Sequence, residues 1–189
     1  MTKNIKRCAW VSNDLLYIDY HDNEWGKPQH NSLKLFEKIC LEGQQAGLSW
    51  ITILKKREEY RRCFFDFDPN KIVAMNDSDI EALMQNSGLI RNRLKLNAIV
   101  KNAAAYLAMQ AQGDDFASFI WSFVAGQTVV NHYSKLSDVP VMTAISDSLS
   151  KALKKRGFTF VGSTICYAFM QSMGLVNDHL VGCYCRRSD

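Results

Sequence analysis

The sequence predicts an all-α domain, on three observations. Apolar residues recur at spacings of three and four along most of the chain. No strict apolar/polar alternation lasts more than a few residues, and helix start and stop signals bracket the periodic segments. Leu33, Phe36, Ile39 and Cys40 mark a first long helix, and Trp50, Ile53, Leu54 and Phe64 keep the spacing beyond it. Asp68-Pro69 opens a helix, with an acid to cap free amides and a proline suited to the first turn. Ser78-Asp79-Ile80-Glu81 has capping-box form. The longest helix is expected from about Arg91 to Gln112, with Leu96, Ile99, Val100, Ala103 and Leu107 inward and Gly113 ending it. Phe116, Phe119, Ile120 and Phe123 mark another. Leu149, Ala152 and Leu153 mark a further helix, closed by the basic turn Lys154-Lys155-Arg156 and by Gly157. Thr164 to Met173 forms a short apolar helix stopped by Gly174. Residues 125–145, containing Pro140, carry the weakest pattern and read as the long loop.

At 189 residues, 47% hydrophobic and 11% aromatic, the chain fits one unit over residues 1–189 with a sizeable core. No run approaches the roughly 18 apolar residues of a membrane span. The polar start Met1–Arg7 lacks the apolar stretch of an export signal, so a cytoplasmic protein is expected. Six cysteines then read as thiols and ligands rather than disulfides. The formal charge of +4 is modest, but cations cluster at Lys55-Lys56-Arg57, Arg61-Arg62, Arg91 with Arg93 and Lys95, and Lys154-Lys155-Arg156. Such clusters suggest contact with a polyanion; a solvated helix face explains any one of them equally well.

Cys8 with His21, and His179 with Cys183, lie at opposite ends of the chain. Sharing one metal, they would make a tetrahedral S₂N₂ set with no vacancy for water, the ligand mix of a structural zinc site. His179 and Cys183 are four apart, one helical turn. The first pair needs a folded loop, and Cys185 is a competing thiol. Chance pairing among four His and six Cys is the alternative.

Two segments are suited to DNA. A capped helix ends at Ser87-Gly88-Leu89-Ile90, and a basic one starts at Arg91-Asn92-Arg93. A tight turn with outward amides before a helix N-terminus binds phosphate without reading bases. The pattern is that of a helix-hairpin-helix motif, except that Ile90 stands where a second glycine is usual; an ordinary helix corner is the alternative. The second segment is Cys40-Leu-Glu42-Gly-Gln-Gln-Ala-Gly47-Leu48-Ser-Trp50, whose glycines and glutamines cost helix stability and suggest backbone shaped for contact. Glu42 sits in apolar surroundings where an unpaired carboxylate is expensive; pairing with a nearby Arg, with Trp50 as core, is the bland alternative. Trp10, Tyr17, Tyr20 and Trp25 crowd the same stretch as Cys8 and His21. Aromatic rings around one carboxylate suit a flipped, positively charged purine.

Cys8-Ala-Trp10, Tyr17-x-x-Tyr20-His21-Asp-Asn-Glu-Trp25-Gly26, Leu41-Glu-Gly-Gln-Gln-Ala-Gly-Leu-Ser-Trp50 and Asn177-Asp-His179-x-x-x-Cys183 together resemble the bacterial 3-methyladenine DNA glycosylase I family, as do Leu153-Lys-Lys-Arg-Gly157-Phe and Gly162-Ser-Thr164. The likeness runs in order through nearly the whole chain. It implies a helix-hairpin-helix glycosylase fold and a structural zinc held by Cys8, His21, His179 and Cys183, joining the terminal segments. It also implies excision of alkylated adenine from double-stranded DNA by a monomer used at the nucleoid. By the same resemblance Glu42 accepts from the exocyclic amine edge, as the one candidate catalytic residue. Tyr20 recognises another edge, Trp50 stacks, and Trp10, Tyr17 and Trp25 complete the pocket. Gly47 and Leu48 wedge into the duplex, and Gly88, Leu89, Ile90, Arg91 and Arg93 face the backbone. No hydrolytic aspartate is assignable, since Asp114 and Asp115 can simply cap the next helix. No lysine stands in the pocket motifs, which implies a monofunctional enzyme. Competing readings are a helical DNA-binding module without activity and a zinc hydrolase or nucleobase deaminase using Glu24, three after His21.

Overall fold

The computed structural model describes residues 5–186, and they form ten α-helices and one two-stranded sheet. In order these are α1 Leu15–Asn23, α2 Ser32–Gln45, α3 Trp50–Leu54, α4 Arg57–Cys63, α5 Pro69–Ile72, α6 Asp77–Met84, α7 Arg93–Ala111, α8 Phe116–Ser122, β1 Val129–Val130, α9 Ala144–Lys155, α10 Ser163–Ser172 and β2 Val176–Asn177. Helix α2 is the hub: it packs against α3, α7, α8 and α10. It buries Leu35, Phe36, Ile39, Cys40 and Leu41, whereas Leu33, expected on the same face, is exposed.

Local signals explain most boundaries. Asp68 caps α5 by accepting from the Asn70 amide at 3.0 Å, with Pro69 in the first turn. Asn92 caps α7, which ends at Gly113 in the left-handed region, φ 85°. Leu96, Ile99 and Ala103 are buried on it, while Val100 and Leu107 are half-buried. The capping box of α6 lies two residues before the expected one: Asn76 accepts from Ser78 and Asp79 amides, and Asp79 accepts from the Asn76 amide. Asp115 caps α8, and Asp114 pairs with Arg156.

Three features depart from the sequence expectation. Helix α1 is additional; its mixed composition shows no clear apolar stripe. The expected loop 125–145 contains β1, which pairs in parallel with β2, Val129 opposite Val176. The chain between Trp50 and Cys63 is two helices, α3 and α4, with Lys55 and Lys56 between them.

The C-terminus of α2 is held by Lys95 of α7. Its ammonium donates to the carbonyls of Gln44 at 2.9 Å and Ala46 at 2.6 Å, while the Gln44 side chain links the Lys95 carbonyl and the Tyr60 hydroxyl. A cation on the free carbonyls of a helix end is stabilising. Lys95→Met keeps the stem and loses about 2 kcal/mol of charged hydrogen bonding. The expected cost is about 4–8 °C in melting temperature, read by thermal denaturation.

Candidate functional site

The predicted ligand set converges. Cys8, His21, His179 and Cys183 are buried, and one ligating atom of each lies within 4.8 Å of all the others. Sulfur–nitrogen separations are 3.6 Å from Cys8 to His179 Nδ1, 3.5 Å from Cys183 to His21 Nε2 and 3.6 Å from Cys183 to His179 Nδ1. A tetrahedral ion with metal–sulfur bonds of about 2.3 Å and metal–nitrogen bonds of about 2.0–2.1 Å sets that edge at about 3.6 Å. The four residues therefore fit a closed transition-metal site. The far ring nitrogens are also engaged: His21 Nδ1 lies 2.7 Å from Asp22, itself held by Arg7, and His179 Nε2 lies 3.3 Å from the Trp25 carbonyl. Such partners fix which nitrogen faces a metal. Cys185 stands outside, 3.9 Å from the His21 nitrogen that Asp22 already occupies. The reach from His179 to Cys183 is not helical as expected; a turn through Gly182, φ 87°, supplies it.

Aromatic residues pack directly on this cluster. The Trp10 ring lies 5.2 Å from His21 and 5.1 Å from Trp25, and Trp25 lies 4.7 Å from His179. Tyr17 and Tyr20 extend the array from α1, and Tyr20 reaches Trp50 at 5.5 Å. All six residues expected to bind substrate, Trp10, Tyr17, Tyr20, Trp25, Glu42 and Trp50, line one cavity of about 420 Å³. Its other walls were not legible in the sequence. Leu136, Val139, Pro140 and Val141 come from the supposed loop, and Tyr167, Gln171 and Asp178 come from α10 and the end of β2. Asp178 accepts from Asn131, Tyr167 and Gln171, so it ties that wall together.

Glu42 is 2% exposed and pairs not with an arginine but with Lys38, one turn earlier, at 3.0 Å. The Lys38 ammonium also donates to the Tyr20 hydroxyl at 2.8 Å and lies 3.2 Å from the Trp50 ring centre. Sequence reasoning missed this lysine, which lies outside the pocket motifs: it does not line the base cavity but borders a second one, which Tyr20 and Trp50 also line. Two buried side-chain polar atoms lack a partner among the described residues, Glu42 Oε2 and Trp50 Nε1. Both belong to cavity-lining residues. Unsatisfied buried groups are rare and costly, so a donor–acceptor pair left open here marks a place for a polar ligand.

The expected DNA-facing residues divide. Gly47, φ 78°, and Leu48, 40% exposed, form an open turn between α2 and α3. Leu89 is instead a core residue at 3% exposure. The amides of Gly88, Leu89 and Ile90 are bonded inside the protein, to Asn86 Oδ1, the Asn86 carbonyl and the Tyr60 hydroxyl. Tyr60 occupies what a phosphate would need. Among the described residues, the amides of Arg91, Arg93 and Leu94 at the start of α7 have no protein acceptor, and the Arg93 side chain pairs with Glu81.

The sequence profile of the methyladenine glycosylase family matches residues 10–187. The chain belongs to this family. It is 65% identical over 182 residues to the DNA-3-methyladenine glycosylase of Haemophilus influenzae, covering 96% of this chain and 98% of that protein. It is 62% identical over 181 residues to DNA-3-methyladenine glycosylase 1 of Escherichia coli K12, covering 96% and 97%. A solved 3-methyladenine DNA glycosylase I superposes with a TM-score of 0.95 at 62% identity, covering 96% of this chain and all of that one. A variant of a different 3-methyladenine DNA glycosylase I, in complex with 3-methyladenine, gives 0.91 at 40% identity, covering 96% and 98%.

Burial pushes the Lys38 ammonium down to about 8 against the pull of Glu42. Unfolded, it keeps the ordinary lysine value of 10.5, so between about 8 and 10.5 the unfolded chain binds more protons. Stability should rise with pH through that window on this account. The difference in urea midpoint between wild type and Lys38→Met should grow in favour of wild type from pH 7.5 to 9.5.

Proposed function

We propose that this methyladenine glycosylase flips 3-methyladenine out of alkylated double-stranded DNA and hydrolyses its N-glycosidic bond. The single observation that carries the reading is the pair of buried, unpartnered atoms, Glu42 Oε2 and Trp50 Nε1, on residues that line an aromatic cavity large enough for a purine. Family membership supports the substrate, since the homologous enzymes are named for it.

Methylation at N3 leaves the adenine positively charged, which weakens the bond to the sugar. The base then departs with its bonding electrons as neutral 3-methyladenine, and water adds to the sugar carbon. No strong acid is required, consistent with the lack of an assignable hydrolytic aspartate. The protein's task is recognition and exclusion of water. Trp10, Tyr17, Tyr20, Trp25 and Trp50 offer π faces to the electron-poor ring, worth about 1–3 kcal/mol per contact. Glu42 Oε2 accepts from the exocyclic amine. Gly47 and Leu48 fill the gap in the duplex; Arg91, Arg93 and the free amides of α7 bind backbone phosphate. Lys38 directs its ammonium to Glu42, Tyr20 and Trp50 and is not among the residues lining the base cavity, which supports monofunctional hydrolysis without a Schiff base.

The metal we assign is zinc, in a structural role. With four protein ligands it has no open position, and Glu24 is held by both Arg57 nitrogens, which disfavours a deaminase. One zinc per chain is expected by elemental analysis, and Cys183→Ser should lose it and melt at least 10 °C lower. Retained zinc with an unchanged melting curve would remove the assignment.

The functional test is incubation with methylated DNA, followed by chromatography for released base and alkali cleavage of abasic sites. Release of 3-methyladenine is the expected result. Glu42→Gln should bind the free base about 10–100-fold more weakly, the loss of a charged hydrogen bond, by titration of tryptophan fluorescence.

A further inference from the structure

Lys38 touches three of the six residues assigned to the base, Glu42, Tyr20 and Trp50, yet it is not among those lining the base cavity. Its ammonium lies 3.0 Å from Glu42 Oε1, 2.8 Å from the Tyr20 hydroxyl oxygen and 3.2 Å from the Trp50 ring centre, and the residue is 6% exposed. An ammonium has donors and no acceptor. The Tyr20 oxygen therefore accepts from it, and the Tyr20 O–H is left to donate elsewhere. Glu42 Oε1 likewise accepts, and Oε2 remains an acceptor without a partner. One lysine thus fixes a donor at Tyr20 and an acceptor at Glu42.

We infer that Lys38 is a positioning residue that sets the hydrogen-bond polarity of the pocket and thereby selects 3-methyladenine against 3-methylguanine. The inference rests on the glycosylase reading above. Adenine presents an acceptor at N7 beside a donor at its N6 amine, whereas guanine presents two acceptors, N7 and O6. A tyrosine donor beside a carboxylate acceptor complements the first edge and sets oxygen against oxygen on the second. The two methylated bases share the N3 methyl group, so neither its size nor the charge it brings separates them.

Removing the ammonium releases both constraints. The Tyr20 hydroxyl becomes free to donate or accept. Glu42 loses the donor that holds Oε1, so its carboxylate can turn away from O6. Charged and titratable neighbours facing this locus are Tyr20 and Tyr17 on α1, Glu24 just after it, and Arg57 on α4. Arg57 is bound to Glu24 in a two-pronged pair, so it does not replace Lys38 at Glu42.

The experiment measures release of 3-methyladenine and 3-methylguanine from methylated DNA between pH 6 and 7.5, as single-turnover rates. Wild type, Lys38→Met and the double variant Lys38→Met/Glu42→Gln are compared. In Lys38→Met the ratio of the two rates should fall at least about ten-fold below that of wild type. The double variant, whose neutral amide offers both donor and acceptor, should show a low ratio as well. It also carries the test if the single variant does not fold. A purely structural role would slow both bases together and leave the ratio unchanged, which overturns the inference alone. Wild-type protein releasing neither base overturns the glycosylase reading and the inference with it.

Discussion

The meeting of Cys8 and Cys183 with His21 and His179 joins positions as much as 175 residues apart, and the wall of the cavity is built on that junction. Trp10 and Trp25 pack against the two imidazoles, so the rings that face the cavity are braced by the groups that would hold a metal. The fit leaves no slack. A Cβ added at Gly26 would lie 2.8 Å from His179 Nε2, and this glycine has φ 76°, so the residue after Trp25 has both a steric and a conformational reason to lack a side chain. On the other side, His179 follows Asp178, whose three hydrogen bonds fasten β2 to α10 and to the segment after β1. One small cluster therefore orients two walls of the pocket that the chain makes more than a hundred residues apart.

Within those walls the Glu42 carboxylate is paired with a cation, Lys38. Glu42 and Lys38 are both buried, and breaking such a pair is far more costly than its net worth to stability. The pairing matters for the chemistry proposed here. A lone carboxylate would hold the cationic base strongly and so oppose the passage of positive charge from base to sugar. With Lys38 behind it, Glu42 remains a directed acceptor while its field is largely cancelled. The cavity can then recognise the alkylated base without anchoring its charge.

Much of the fold was legible because its boundaries are set by local chemistry. Asp68-Pro69, Gly113, Gly157 and Gly174 mark ends that depend on capping and left-handed backbone, both readable from neighbouring residues. Helix α1 was not, because its burial is decided by partners distant in sequence. The parallel strands are two residues long, below any periodic signal. At the site, aromatic residues and glutamate stood out by type. Lys38 did not: lysine four before glutamate on a helix is ordinarily a solvated pair, and only the packing of α1 and α3 over it makes it internal. The glycines and glutamines after Glu42 had a double reading. At Gly43, Phe160 approaches to 3.1 Å of where a Cβ would stand, closer than an ordinary contact, and Gln44 braces Lys95 and Tyr60. Gln45, by contrast, lines the cavity.

The hairpin expectation shifted for a related reason. Gly88 and its neighbours look available as sequence, but Asn86 and Tyr60 take up their amides, and Glu59 lies so close that a Cβ at Gly88 would meet its side chain at 2.6 Å. The glycine therefore serves close packing of the corner against α4. What remains exposed is the next turn, where the helix dipole, three free amides and Arg91 coincide. The corner is stiffened internally, and its outward face begins at Arg91. On the reading proposed above, rigidity there has a function of its own: a backbone anchor that does not yield would keep the Gly47-Leu48 turn and the cavity at fixed reach from the strand. The energy of phosphate binding could then go into holding the nucleotide out of the helix.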